Sequence, residues 1–278
     1  MSKSNAIKTF RDLLAFLTII PLGQTEDFVE ASARNIFLFP VVGALIGVLA
    51  AGYFFASSWI VSLLLLLVNF VVHVPLAFLQ SLIPAAMTLA FLLIITGFQH
   101  FDGLVDLGNA IGLKRIEDRR EIAHRWVVTY KGALLALIVE FSAVAGLSLV
   151  NANLALRGLI VAEVCAKLAM VTIVWRGKAS HEGLGARFIR NARRKLNVAG
   201  YAVSFLIGFA FLGLAGLLLV LVAVGFGLFM EKVANVMFGG VSGDMIGATN
   251  EAARAVALVL VVVVSFWASV LFTGGLLL

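Results

Sequence analysis

The chain has 278 residues, 62% hydrophobic and only 13% charged, with a mean hydropathy of +1.08. A soluble domain carries about 25% charged residues, so this composition excludes a water-exposed globule. The net charge of +6 comes from basic residues spread through loops between apolar runs. That excludes a nucleic-acid stripe and fits cytoplasmic loop bias, binding of an anionic substrate, or both.

Apolar runs long enough to span a bilayer, without period-2 alternation, call for helices rather than a barrel. The reading is an all-α, polytopic transmembrane helical bundle forming one integral membrane domain over residues 1–278. It has about seven spans, within a range of about six to eight. In residues 1–30, Ile7, Phe10, Leu13, Leu14 and Leu17 recur at helical spacing among Lys3, Lys8 and Arg11. This predicts an N-terminal interfacial amphipathic helix, ended near Pro21 and Gly23, with no signal-cleavage pattern.

The first span is expected from Asn35 to Ala56. Residues 57–98 carry no charge, about twice the length one span needs. His73 and Pro75 suggest two helices with a break near 73–76. Polar stretches follow at 99–132, 176–197 and 231–254. Spans at 133–150 and 155–175 hold or border Glu140, Arg157, Glu163 and Lys167, the last two spaced to pair on one face. The single cysteine, Cys165, reads as a packing residue. Residues 198–230 are uncharged, Gly-rich, long for one helix and short for two; the last span is 255–278.

The basic stretches share a side, read as cytoplasmic. Three spans before residue 99 would put the N-terminus opposite, against the evidence of Lys3, Lys8 and Arg11. A re-entrant early segment would reconcile the two.

Three segments could carry chemistry. In HFDGLVDLGNA, His100 to Ala110, Asp102, Asp106 and Asn109 share one helix face. Stacked carboxylates there make sense around a hard dication such as Mg²⁺; the alternative is a solvated acidic loop. His100 reads as a ligand, a general base or an interfacial histidine, and His73 as a packing residue. In GGVSGDMIGATNEAAR, Gly239 to Arg254, Asp244 lies in an apolar stretch and is functional by default, with Asn250 and Glu251 following. The alternative is a glycine packing surface. In GLGARFIRNARRK, residues 183–195, basic groups including Arg187 and Arg190 could clamp a diphosphate or anchor at lipid headgroups. Together the segments fit metal-assisted phosphoryl transfer on an amphiphilic substrate.

HFDGLVDLGNA resembles the H-x-DGL-x-D-x-x-D segment of the cobalamin synthase family, also called adenosylcobinamide-GDP ribazoletransferases. GVSGDMIGATNEAARAVAL is similar to that family's late G-x-x-GD-x-x-GA-x-NE segment. LLAFLTIIP and FPVVGALIGVLAA resemble its opening and first span, so the likeness runs nearly end to end. It implies an enzyme of the cell inner membrane, its active site facing the cytoplasm. Such an enzyme joins α-ribazole, or its 5′-phosphate, to adenosylcobinamide-GDP with Mg²⁺, releasing GMP and forming adenosylcobalamin or its phosphate.

The expected site has Asp102, Asp106, His100 and Asp244 in catalysis, and Asp102, Asp106, Asn109, Asp244 and Glu251 on metal. Arg187, Arg190, Asn250 and Arg254 are expected on nucleotide. Partners are the two substrates and the lipid bilayer, with homo-oligomerisation left open.

Two departures from the family pattern stand out. Its third acid is Asn109 here, and its K-D-x-R-x-G-x-x-G stretch reads HRWVVTYKG, with Arg125, Val127 and Thr129 at usually conserved places and Gly132 retained. A CDP-alcohol phosphotransferase is the rival enzyme, but its DG-x-x-AR pattern fails at Val105 and Asp106. The rival from another class is a cation transporter or channel lined by Asp102, Asp106 and Asp244.

Overall fold

A computed structural model describes residues 3–72, 78–125, 127–192 and 195–273. The expected break at His73 and Pro75, and Arg193 and Arg194, lie outside the described residues. Eleven α-helices run through the rest, and a single parallel bridge between Ala179 and Val241 is the only strand-like pairing among the described residues.

The predicted amphipathic helix is α1 (Lys3–Leu17), followed by the short α2 (Phe28–Arg34). Leu13, Leu14 and Leu17 turn into the bundle while Ile7 stays exposed, so α1 rests on its edge. One uninterrupted helix, α3 (Phe39–Val71), then covers what the sequence suggested were two spans. Its 33 residues contain no interior breaker, with Pro40 tolerated in the first turn, where no backbone donor is needed. After α4 (Leu79–Ile95) the chain turns by 97° into α5 (Gln99–Asn109). Gly97 and Phe98 make that corner, with φ of 63° and 58°.

The surface helix α6 (Ile116–His124) leads to α7 (Tyr130–Ser148), capped by Thr129, whose hydroxyl accepts from the Gly132 amide. α8 (Ala152–Arg176) is capped by Asn151 and forms the axis of the bundle. Its apolar core is 94% buried against α3, α10 (Asn197–Phe238) and α11 (Gly243–Thr273), whereas that of α10 is 22% buried. Close approach here depends on small residues. A Cβ on Gly47 of α3 would come within 2.6 Å of the Ile160 Cα, and Gly43 one turn earlier meets Glu163 and Lys167. The short α9 (Leu184–Asn191) sits between α8 and α10 in sequence and packs on α2.

The 42-residue α10 is two antiparallel arms. Gly213 leaves helical geometry, with φ of 59° and ψ of −136°, and a Cβ on Gly208 would sit 2.9 Å from the Gly216 carbonyl oxygen. Tyr201 bonds Thr172 of α8 at 2.8 Å, and Gly227 packs against the same Thr172. On a straight helix those two positions would stand roughly 39 Å apart.

Five helices are long and apolar enough to cross a membrane, six when the α4–α5 pair is taken as one broken span. Counting the two arms of α10 separately gives seven apolar passes among the described residues. The expected number holds, but the expected partition does not: there is one pass fewer before residue 99 and one more within 197–238.

That partition settles the parity conflict. Two passes, not three, precede the first polar stretch, so the N-terminal segment shares its side. The Ile19 amide donates to the Ile95 carbonyl at 2.8 Å, tying the end of α1 to the end of α4. Arg119 and Arg120 of α6 donate to carbonyls at Val236, Met237 and Phe238, at the end of α10. The polar segments therefore gather at one end, and the Gly213 turn lies beside Leu154 and Arg157 at the other.

Candidate active site

The two polar motifs meet at one backbone contact. A Cβ on Gly103 of α5 would collide with the Asp244 main chain, so only glycine lets α5 seat against the first turn of α11. Asp102 and Asp106 lie one turn apart on α5, while Leu104 and Leu107 face the core. Asp102 is exposed; Asp106 and Asp244 are half-buried. Ser242 donates to the Asp244 carboxylate at 3.3 Å and accepts from the Met245 amide, holding the start of α11.

Asp244 repels both Asp102 and Asp106 electrostatically, and among the described residues no Lys or Arg offsets either one. No group of three His, Cys, Asp or Glu among the described residues closes into a metal cage. Open carboxylates of this kind suit a hard dication that takes one or two protein oxygens and fills its shell from phosphates and water.

Asn109, expected with these acids on a metal, does lie beside Asp106, to which its amide hydrogen-bonds, but its other contacts brace the chain. Its Oδ1 accepts from the Thr129 amide at 2.9 Å and the Thr129 hydroxyl at 2.7 Å, and its Nδ2 donates to the Val127 carbonyl at 2.8 Å. The amide pins the end of α5 to the start of α7. Its partners are residues of the same segment that departed from the family pattern. A carboxylate could not donate to Val127, so the two departures form one local unit.

Asn250, Glu251 and Arg254, expected on metal or nucleotide, turn inward. Arg254 pairs with Glu163 and Glu251, Lys167 donates to Glu163 at 3.1 Å and to Asn250 at 2.8 Å, and Asn250 donates to Glu251 at 2.9 Å. All five side chains are essentially inaccessible. Glu251, seven residues on, keeps the face of Asp244 but lies two turns further along α11, where Asn250 and Arg254 flank it and α8 supplies Glu163 and Lys167. The pairing of Glu163 with Lys167 stands as expected, but as part of this larger ionic cluster.

His100 joins the two regions. It is buried, its Nδ1 lies 3.8 Å from Glu251 without a hydrogen-bond partner, and it borders a cavity of about 450 Å³. Asp244, Gln99 and His181 border the same cavity on its polar side. Phe16, Phe39 and Phe188 border it on the other, with the Phe16 and Phe188 rings 5.0 Å apart. Sequence reasoning missed these rings, because they come from three separate helices and no local pattern marks them. Of the basic loop, Arg190 is held by Glu182 at 2.6 and 2.9 Å, and Arg187 is exposed one turn away on α9. Exposure and an existing acidic partner leave these two at the rim of the site.

Comparisons with known proteins identify the family. The family described as cobalamin-5-phosphate synthase matches residues 9–263. Curated relatives named adenosylcobinamide-GDP ribazoletransferase include one from Halorubrum lacusprofundi, 32% identical over 91% of this chain and 95% of its own. Another from Frankia casuarinae is 30% identical over 96% and 98%, and one from Methanosarcina barkeri is 29% identical over 91% of each. No solved structure matches the chain. With the family match covering nearly the whole bundle, and both polar motifs meeting at Gly103 and Asp244, the chain belongs to the cobalamin-5-phosphate synthase family.

Proposed function

We propose that this membrane protein transfers the phosphocobinamide group of adenosylcobinamide-GDP to α-ribazole or its 5′-phosphate. The ribazole ribose oxygen attacks the phosphorus bonded to cobinamide. A new P–O bond forms, the bond to GMP breaks, and adenosylcobalamin or its phosphate is produced. The observation that carries this reading is the seating of Gly103 against Asp244. It brings two motifs far apart in the chain together at one end of the bundle, beside a cavity.

Each group has a role that its surroundings suit. Asp102, Asp106 and Asp244 are the acids from which Mg²⁺ would take one or two carboxylate oxygens, and when bound it would supply neutralisation of charge on the diphosphate. The start of α11 directs backbone N–H groups toward the same edge, which favours negative charge there. Arg187 and Arg190, exposed on α9, would draw the anionic substrate to the site. His100, on the cavity wall, is placed to meet the attacking hydroxyl. Excess basic charge on this side argues that it faces the cytoplasm of a cell inner membrane. The channel alternative needs acids spread through the bilayer, whereas these three share one edge.

The test is purified protein in liposomes given adenosylcobinamide-GDP, α-ribazole and Mg²⁺, with corrinoids and GMP separated by chromatography. GMP release in step with a new corrinoid is expected. Ion flux without nucleotide chemistry would overturn the reading.

A further inference from the structure

The cavity beside Asp244 has two unlike walls. Its polar wall comes from the first turns of α5 and α11 and the segment before α9, through Gln99, His100, Asp244 and His181. Its apolar wall comes from α1, α3 and α9. Phe16 and Phe39 stand 6.1 Å apart in a stacked arrangement, and Phe188 meets Phe39 edge-on at 5.9 Å. At about 450 Å³ the space is within the range of small-molecule sites and well short of a corrin with its side chains.

A ligand that suits both walls has a flat apolar end and a hydroxylated or phosphorylated end. Of the two substrates, α-ribazole has that form, since its fused bicyclic base carries methyl groups and no purine-like hydrogen-bonding edge. Guanine would bring donors and acceptors to a wall of phenylalanine rings that can answer none of them, at the cost of desolvating each.

Resting on the proposed function, we infer that Phe16, the one half-buried ring of the three, forms the subsite for the lower-ligand base with Phe39 and Phe188 buried behind it, and that this aromatic cluster sets base preference. The base stacks against Phe16, which leaves the ribose toward His100 and Asp244. Phe16 is the most informative of the three. It is half-buried, and it lies on α1, which rests on the bundle edge rather than within it.

Steady-state kinetics of the full-length protein in liposomes test this, with each substrate varied separately. Phe16→Ala should raise KM for α-ribazole about tenfold, the scale of one lost aromatic–base stack. KM for adenosylcobinamide-GDP should stay unchanged. Phe16→Tyr should keep wild-type values, and Phe188→Leu, which preserves apolar volume, should narrow the preference for α-ribazole over the α-nucleoside of adenine. If Phe16→Ala does not fold, Phe16→Leu gives the same reading with a smaller shift. A rise in KM for adenosylcobinamide-GDP alone, or unchanged constants for both substrates in folded variants, overturns the subsite. Absence of GMP release by the wild-type protein would instead overturn the proposed function, so the two failures are distinct.

Discussion

At the edge where α5 meets α11, Asp102 and Asp106 stand near Asp244 with no Lys or Arg among the described residues to offset the pair. Two turns further along α11, Glu251 and Arg254 join Glu163 and Lys167 of α8 in a hidden cluster of two acids and two bases, with Glu140 of α7 beside it. Both regions put ions in an apolar setting. The first is open, with Asp102 and Asp106 both repelled by Asp244, an arrangement that suits a cationic ligand. The second is closed and balanced, which holds the two central helices in register and leaves little for a substrate to bind. Being charged within a membrane protein is therefore a poor guide to function until the compensating partner is known.

Substitutions can break that contrast. The largest effect is expected at the open edge. Asp102→Ala and Asp106→Ala should each lower turnover by about a thousandfold, on the scale of losing preorganised charge at a transferring phosphoryl group. Their thermal midpoints should match or exceed the wild type, because repulsion is relieved; turnover assays with fluorescence-detected unfolding measure both.

The closed cluster should respond in the opposite sense. Arg254→Leu leaves Glu163 and Glu251 short of a partner, and removing one member of a buried pair costs about 3–5 kcal/mol. A sharp fall in the thermal midpoint and in folded yield is expected, with no change in KM for the protein that survives. A normal midpoint with lost activity would move Arg254 back to the substrate.

Asn109→Asp comes next. A resemblance-based view would restore a family carboxylate and tighten metal binding. The structure predicts instead that a carboxylate replaces the donor to Val127, costing about 1–3 kcal/mol from an unsatisfied or repelled carbonyl. The smallest effect is Thr129→Ala, which removes a helix cap and one bond to Asn109, for about 1 kcal/mol. A double-mutant cycle between the two positions should show coupling if they act as one brace.

Much of this molecule was readable in advance. The all-helical membrane character, the amphipathic start, the two polar motifs and the pairing of Glu163 with Lys167 depend on composition and on spacing along one helix. The number of passes also emerged, but through two offsetting misreadings. A charge-free run was divided where α3 continues, and a glycine-rich run was left whole where α10 doubles back. Hydropathy reports how apolar a segment is and not where it bends. Gly213 differs from the other glycines of that run only in the backbone angles its neighbours impose.

Local pattern established which residues can share a face, because helical periodicity acts over a few residues. It could not say which stretch of a face is covered and which stays open, because that depends on partners far away in the chain. Asp244 and Glu251 lie on one helix, yet Gly103 draws the first to the open edge while Lys167, Asn250 and Arg254 surround the second inside. Packing across helices, through close backbone approach and charge compensation, made one acid a candidate for chemistry and the other part of the frame.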